Sequence, residues 1–285
     1  MWAYQLGTVD YRAACRLQAE VAAARVRGSA GDRLLLLQHP PVITLGRGGG
    51  RQDILATAES LQREGIEVVS SDRGGRATYH GPGQVVAYPI FRLPDQDLHT
   101  YLWRLEETVI RLLEGYGLRA GRDGDHPGVW LDGKKIAAVG LAVQQGVTRH
   151  GVALNVAPQM AHFDLLVPCG IAGRGVTSMA RELGRSVDLE AVGRRFAEAL
   201  GGVFHCRVAW GDPGELPGIA GGEGVLGAEE GAAAQPAWLW RRVSAASERA
   251  VGRMADLLDG LALHTVCQEA RCPNLAECFE RGTAT

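Results

Sequence analysis

The sequence predicts a mixed α/β (α+β) domain followed by a flexible linker and a short cysteine-rich segment. Three observations predict it. Helical and strand-like apolar periodicities alternate through the first 210 residues. Asp132-Gly133 and Gln145-Gly146 divide residues 129–156 into an antiparallel meander, Asp-Gly being a strong two-residue hairpin signal. Residues 211–234 hold eight glycines, two prolines and several acids, too little apolar surface to offset the entropy of ordering. The boundaries drawn are therefore 1–210, a linker over 211–235, and a terminal segment over 236–285.

Asp10 is placed to cap a helix over residues 11–27, with Gly28 as its stop. Residues 34–37 and 42–45 are strand-like. A short helix ends at Gly65, with strands at 66–70 and 85–90. Leu98, Leu102, Leu105, Val109 and Leu112 recur at helical spacing and predict a helix over 97–114. A helix over 189–200 and a strand over 203–210 close the domain. Beyond the linker, residues 238–260 regain helical character.

Hydrophobic residues make up 46% of the 285 and charged residues 22%, the profile of a soluble globular protein. Met1-Trp2-Ala3-Tyr4 does not read as a secretory leader, and no apolar run reaches membrane-spanning length. A cytoplasmic protein is expected. Up to residue 210 there are 24 basic against 21 acidic residues, and beyond it 6 against 11. No basic tract points to nucleic acid, while the mildly basic body suits an acidic protein partner. Cys15, Cys169 and Cys206 are scattered and expected to be reduced thiols; Cys267, Cys272 and Cys278 cluster.

Of 30 basic side chains only Lys134 and Lys135 are lysines. An arginine keeps its proton near neutral pH, whereas a lysine can cycle one. On a strand these two point to opposite faces, and Lys135 shares its face with Ala137 and Val139. The run from Arg73 to Gln84, RGGRATYHGPGQ, is glycine-rich enough for close backbone approach to a ligand, with Thr78, Tyr79 and His80 at its centre. Cys169 sits between Pro168 and Gly170, which presents a thiol rather than packing it; Cys15 and Cys206 read as small packing residues. A cysteine nucleophile needs a nearby cation or base, and Lys135, His80 and His150 are the candidates.

The segments QHPPVITLGR (38–47), RGGRATYHGPGQ (73–84), KIAAVG (135–140), HGVALN (150–155), VPCG (167–170) and VTSM (176–179) resemble the octanoyltransferases, in order, across residues 1–210. Gln38, Ile43 and Arg149 depart from the family's usual residues, none of them at Cys169 or Lys135. The resemblance implies a fold like that of biotin and lipoate protein ligases. It implies transfer of octanoyl from octanoyl-acyl carrier protein to the target lysine of lipoyl domains, in 2-oxoacid dehydrogenase complexes and the glycine cleavage H protein. It also implies lipoyl-acyl carrier protein as a further donor. Cys169 would carry the acyl group as a thioester, and Lys135 would lower the Cys169 pKa and act as acid and base, with no cofactor and no ATP. Arg73, Gly74, Gly75, Arg76, Ala77, Thr78, Tyr79 and His80, with Ala138, Val139, Gly140, Gly151, Val152 and Ala153, would line the acyl site.

Cys267-x4-Cys272-x5-Cys278 is tight metal-ligand spacing. Residues 236–285 resemble the N-terminal part of lipoyl synthase, where three such cysteines hold an auxiliary 4Fe–4S cluster. The radical-SAM triad is not reached, so a truncated leader without a stable cluster is expected. Two other readings compete. Gly46-Arg-Gly-Gly-Gly-Arg51 is superficially similar to a ligase adenylate loop, which would suit an ATP-dependent lipoate or biotin protein ligase; a non-catalytic metal-binding interaction module is the other.

Overall fold

The computed structural model describes residues 1–93, 97–167 and 174–216. Strands β1 (Trp2–Thr8), β2 (Arg33–Gln38), β6 (Gln84–Ile90), β7 (Gly121–Arg122), β8 (Val129–Leu131), β9 (Lys134–Gln144), β10 (Val147–Asn155) and β11 (Ala209–Trp210) form one sheet. Its order is β11-β1-β2-β6-β10-β9-β8-β7. The pairings of β1 with β11 and β2 are parallel, and the rest are antiparallel. A smaller sheet, β4-β3-β5, joins Glu67–Ser70, Val42–Leu45 and Ala77–His80.

Period-two alternation sorts side chains to two covered faces. Leu34 and Leu36 of β2, with Val85 and Ala87 of β6, pack under α3 (Leu98–Glu114) and α5 (Leu189–Val203). Leu35, Leu37, Val86 and Tyr88 face α1 (Tyr11–Val26), whose Ala13, Ala14, Leu17 and Val21 complete a second cluster. A mixed sheet with helices on both faces is thus the observed class. Asp10 is the expected cap and accepts from Ala13 N–H; Asp97, read as the first helical residue, is instead the cap of α3 and accepts from Thr100 N–H. The small sheet is covered by α2 (Ala58–Arg63) and the turn Met160–Leu165, through Leu61, Ile66 and Phe163. Helix α4 (Met179–Leu183) buries Met179 in the main core.

Four sequence expectations differ from the structure. Helix α5 runs on to Val203, whose side chain is buried, and the chain leaves it through His205 in the left-handed region, so strand structure is confined to Ala209–Trp210. Leu98 is exposed because it lies in the first turn, ahead of the face that meets the sheet, while Tyr101 takes the buried position. Residues 77–80 form strand β5 rather than the centre of a loop, paired antiparallel with β3. Packing also continues past residue 210: Pro213–Glu215 forms a short 3-10 turn and Leu216 is fully buried against the α1 face. Among the described residues no helix is long and apolar enough to cross a membrane.

Candidate active site

The Asp132-Gly133 turn sets the register of the two lysines that follow it. Both turn residues take positive φ, 47° and 75°, as a two-residue hairpin of matching twist requires. Leu131 then pairs with Lys134 and Trp130 with Lys135. Lys134 is exposed, whereas Lys135 is only 6% exposed. Lys135 Nζ donates to Pro127 O at 3.0 Å and lies 4.7 Å from the Trp130 ring centroid, a cation–π contact. Arg174 stacks on the same ring at 5.1 Å, and Trp130 Nε1–H donates to His126 O.

The main chain of Lys135 is held on both sides by residues 175–177. Its N–H donates to Gly175 O and its carbonyl accepts from Thr177 N–H, each at 3.0 Å, in a parallel bridge to Val176. Upstream, Val167 N–H donates to Asp53 O at 2.8 Å. Cys169 lies outside the described residues, as do Cys267, Cys272 and Cys278. Of the remaining thiols, burial pushes Cys15 up to about 11 and raises Cys206 as well, which keeps both protonated.

The glycine-rich run is organised around the Arg73 guanidinium. Its Nη2 donates to Thr44 O, Thr44 Oγ1 and Arg76 O at 2.7 to 2.8 Å, and Nη1 donates to Gly74 O at 3.1 Å. Asp72, just before the run, is tied to strand β10 by Arg149 and by His150 Nε2 at 2.7 Å. The His150 hydrogen bond, more than Arg149, holds the Asp72 carboxyl well below the usual range. His150 adopts φ 59° in the middle of a strand, a strained setting for a residue with a Cβ. Gln38 accepts from Gly83 N–H through its amide oxygen at 2.9 Å, a role a glutamate would fill equally.

Two adjoining cavities flank strand β9. The first, about 280 Å³, is lined by Lys135, Val139, Leu141, Leu102, Pro127 and Gly74. The second, about 50 Å³, lies on the α1 side among Arg73, Thr78, His80, Tyr88, Ala138 and Val152. They share Gly75, Arg76, Val139 and Gly140. A Cβ on Gly140 would stand 3.2 Å from Arg73 Cδ. Gly151 and Ala153 also line the second cavity. Ala77 and Tyr79 line neither; they face the small-sheet core, where Tyr79 OH bonds His162. Ala137, expected on the Lys135 face, is fully buried in the main core.

The second, inner cavity carries polar rings beside the Arg73 guanidinium. His80 stacks on Tyr11 at 6.0 Å and bonds Gln84. Burial, ahead of repulsion from His39 and Arg73, holds His80 well below its usual value. His39 bonds Val9 O and Tyr88 OH, each at 2.7 Å, and burial lowers it to about 4. The arrangement therefore offers two adjoining, mostly apolar cavities, with the Lys135 amine at the wall of one and the His80 and Tyr11 rings at the wall of the other.

Residues 10–201 match the lipoyl protein ligase A/B catalytic domain. An octanoyltransferase of Chloroflexus aggregans is 48% identical over 209 residues, covering 72% of this chain and 95% of the relative. An octanoyltransferase of a Roseiflexus species is 51% identical over 206 residues, covering 70% and 86%. The chain belongs to the octanoyltransferases of this family. A putative lipoate protein ligase of T. acidophilum with bound lipoic acid matches the fold with a TM-score of 0.61, at 18% identity, covering 73% of this chain and 88% of that one. Lipoate-protein ligase A bound with ATP gives 0.60 at 18%, covering 75% and 90%. At such identity these two show the fold alone.

Octanoyltransferases are acyltransferases, and the family in general takes a carrier-protein donor and lipoyl-domain acceptors. In this octanoyltransferase, sequence reasoning missed Trp130 beside Lys135, and Tyr11, Val86 and Tyr88 in the inner cavity. Trp130 had an available signal, since a two-residue turn at Asp132-Gly133 fixes it as the cross-strand neighbour of Lys135. The inner tyrosines had none, because their strand and helix meet the site only through tertiary packing.

Proposed function

We propose that the chain moves octanoyl from octanoyl-acyl carrier protein to the target lysine of lipoyl domains through a thioester on Cys169. Lipoyl-acyl carrier protein serves as a second donor. The acceptors are the lipoyl domains of 2-oxoacid dehydrogenase complexes and the glycine cleavage H protein. The Cys169 thiolate attacks the donor carbonyl, the bond to the pantetheine sulfur breaks, and the departing sulfur takes a proton from Lys135. The acceptor amine then attacks the octanoyl-cysteine, the carbon–sulfur bond breaks, and the amine proton returns to Lys135 as the Cys169 thiolate reforms. Thioester to amide runs downhill, so neither ATP nor a cofactor is consumed.

One observation carries this reading: Lys135 is buried at a cavity wall with its main chain bonded to residues 175–177, the stretch that begins six positions after Cys169 in the sequence. The cavity residues Arg73 to Arg76, Thr78, His80, Ala138 to Gly140 and Gly151 to Ala153 would hold the acyl chain. Intact-mass spectrometry after mixing with octanoyl-carrier protein tests it. An adduct is expected without ATP, absent in Cys169→Ser and lost on adding a lipoyl domain. An adduct persisting in Cys169→Ser points to another nucleophile; loading of free octanoate that requires ATP favours a ligase.

We read the residues beyond Leu216, up to 235, as a linker and 236–285 as a lipoyl synthase-like leader, in a cytoplasmic protein. Iron and labile sulfide at stoichiometric levels after anaerobic reconstitution would assign a cluster to Cys267, Cys272 and Cys278.

A further inference from the structure

Glu106 is a carboxylate buried on helix α3, only 6% exposed, that the transfer chemistry above leaves unused. Its Oε1 accepts from Gly128 N–H at 2.8 Å. Lys135 Nζ donates to Pro127 O at 3.0 Å. That N–H and that carbonyl belong to one peptide unit. A trans peptide points its N–H and C=O in opposite directions, so the carboxylate lies at the positive end of the peptide dipole and the amine at the negative end. Each charge polarises the amide toward the other, and hydrogen bonds in such a chain strengthen one another.

We propose that Glu106 is a positioning residue for Lys135, acting through the Pro127–Gly128 peptide to hold the amine in place and to favour its ammonium form. The inference rests on the reading of Lys135 as the acid and base of the transfer.

The surroundings fit this role. Gly128 sits at φ 124°, and a Cβ there would stand 2.6 Å from Ala137 O and 3.3 Å from Lys135 Cε, so the peptide can lie against Lys135 only without a side chain. The Trp130 ring centroid lies 4.7 Å from the amine, and the indole anchors the same loop through His126 O. The charged groups around Glu106 are few. Arg122 Nε is 3.4 Å from Glu106 Oε2, and Arg122 also binds Glu107, which pairs with Arg111. His126 and the Arg174–Asp123 pair flank the loop. Burial raises the Glu106 carboxyl, opposed in turn by the Gly128 N–H, Arg122 and Lys135, so the carboxylate is held by the partners it acts upon.

Glu106→Gln keeps an acceptor for Gly128 N–H and removes the charge. In the full chain, with octanoyl-carrier protein as donor, we expect kcat to fall about tenfold with KM little changed. The basic limb of the pH–rate profile should move to lower pH. Arg122→Gln, which removes the cation facing Glu106 from a partly exposed position, should move that limb the other way, and it serves where Glu106→Gln folds poorly. Wild-type kcat and limb in Glu106→Gln, or an unmoved limb in Arg122→Gln, overturns the inference while an inactive Lys135→Arg leaves the transfer reading standing. A near-normal Lys135→Arg overturns the transfer reading itself.

Discussion

Lys134 and Lys135 differ by one position along β9 and by almost everything in their surroundings. One points to water; the other rests on an indole face with a carbonyl at its amine. Lys134→Arg should leave turnover within about twofold of the parent, since an exposed cation replaces an exposed cation. Lys135→Arg should lower kcat by about a hundredfold or more, because a guanidinium keeps its proton through the cycle. Steady-state transfer to a lipoyl domain measures both. The divergence of the pair was legible because period two is a property of any strand. What holds Lys135 was only partly so. Trp130 is fixed by turn arithmetic, but Pro127 reaches the amine through an irregular loop that no periodicity describes.

At the scale of elements, the glycine-rich run depends on strand β10. Arg149 and His150 grip Asp72 at its start, and the Arg73 guanidinium fills its inside. Asp72→Asn should loosen this grip. We expect KM for octanoyl-carrier protein to rise several-fold with a smaller fall in kcat, since the run lines the cavities but bears no proposed proton carrier. An unchanged KM would count against the latch. The strands and helices with clean periodicity were readable from sequence: β2, β6, α1 and α3 lie within a few residues of expectation. Strand β5 was not, because Arg73 to Gln84 reads as one glycine-rich stretch and only the partner strand β3 makes residues 77–80 extended. The strand expected over 203–210 failed for the opposite reason, as Val203 had a buried place waiting on helix α5.

For the whole molecule, buried imidazoles set the acid limit of stability. His39 titrates near 4 in the folded chain against a usual 6.5, and His80 is also depressed. Above about pH 6.5 both are neutral folded or unfolded and cost nothing. As pH falls from 6.5 to 4 the unfolded chain takes up protons that the folded chain refuses, so stability declines across that window, by about 3 kcal/mol for His39 alone. Asp72, with a depressed folded value, adds stability above the usual carboxylate range that is lost only at lower pH as it is forced to protonate. Thermal melts between pH 8 and 4 should show this decline, and His39→Gln should flatten it; parallel curves would refute the assignment. The class of fold was legible from alternation of periodicities alone. That the cavities straddle β9 was not, because it depends on which faces the helices leave uncovered.

Where those cavities meet, the only thing standing at position 140 is a hydrogen atom. A single methyl there would stand 3.2 Å from Arg73 Cδ and 3.3 Å from Gly74 O, pressing on the arginine that lines the second cavity. In the transfer proposed above, the room left for the acyl chain is therefore a quantity that one residue can set, a gauge with the smallest possible graduation, and it can be reset without touching either the amine or the rings.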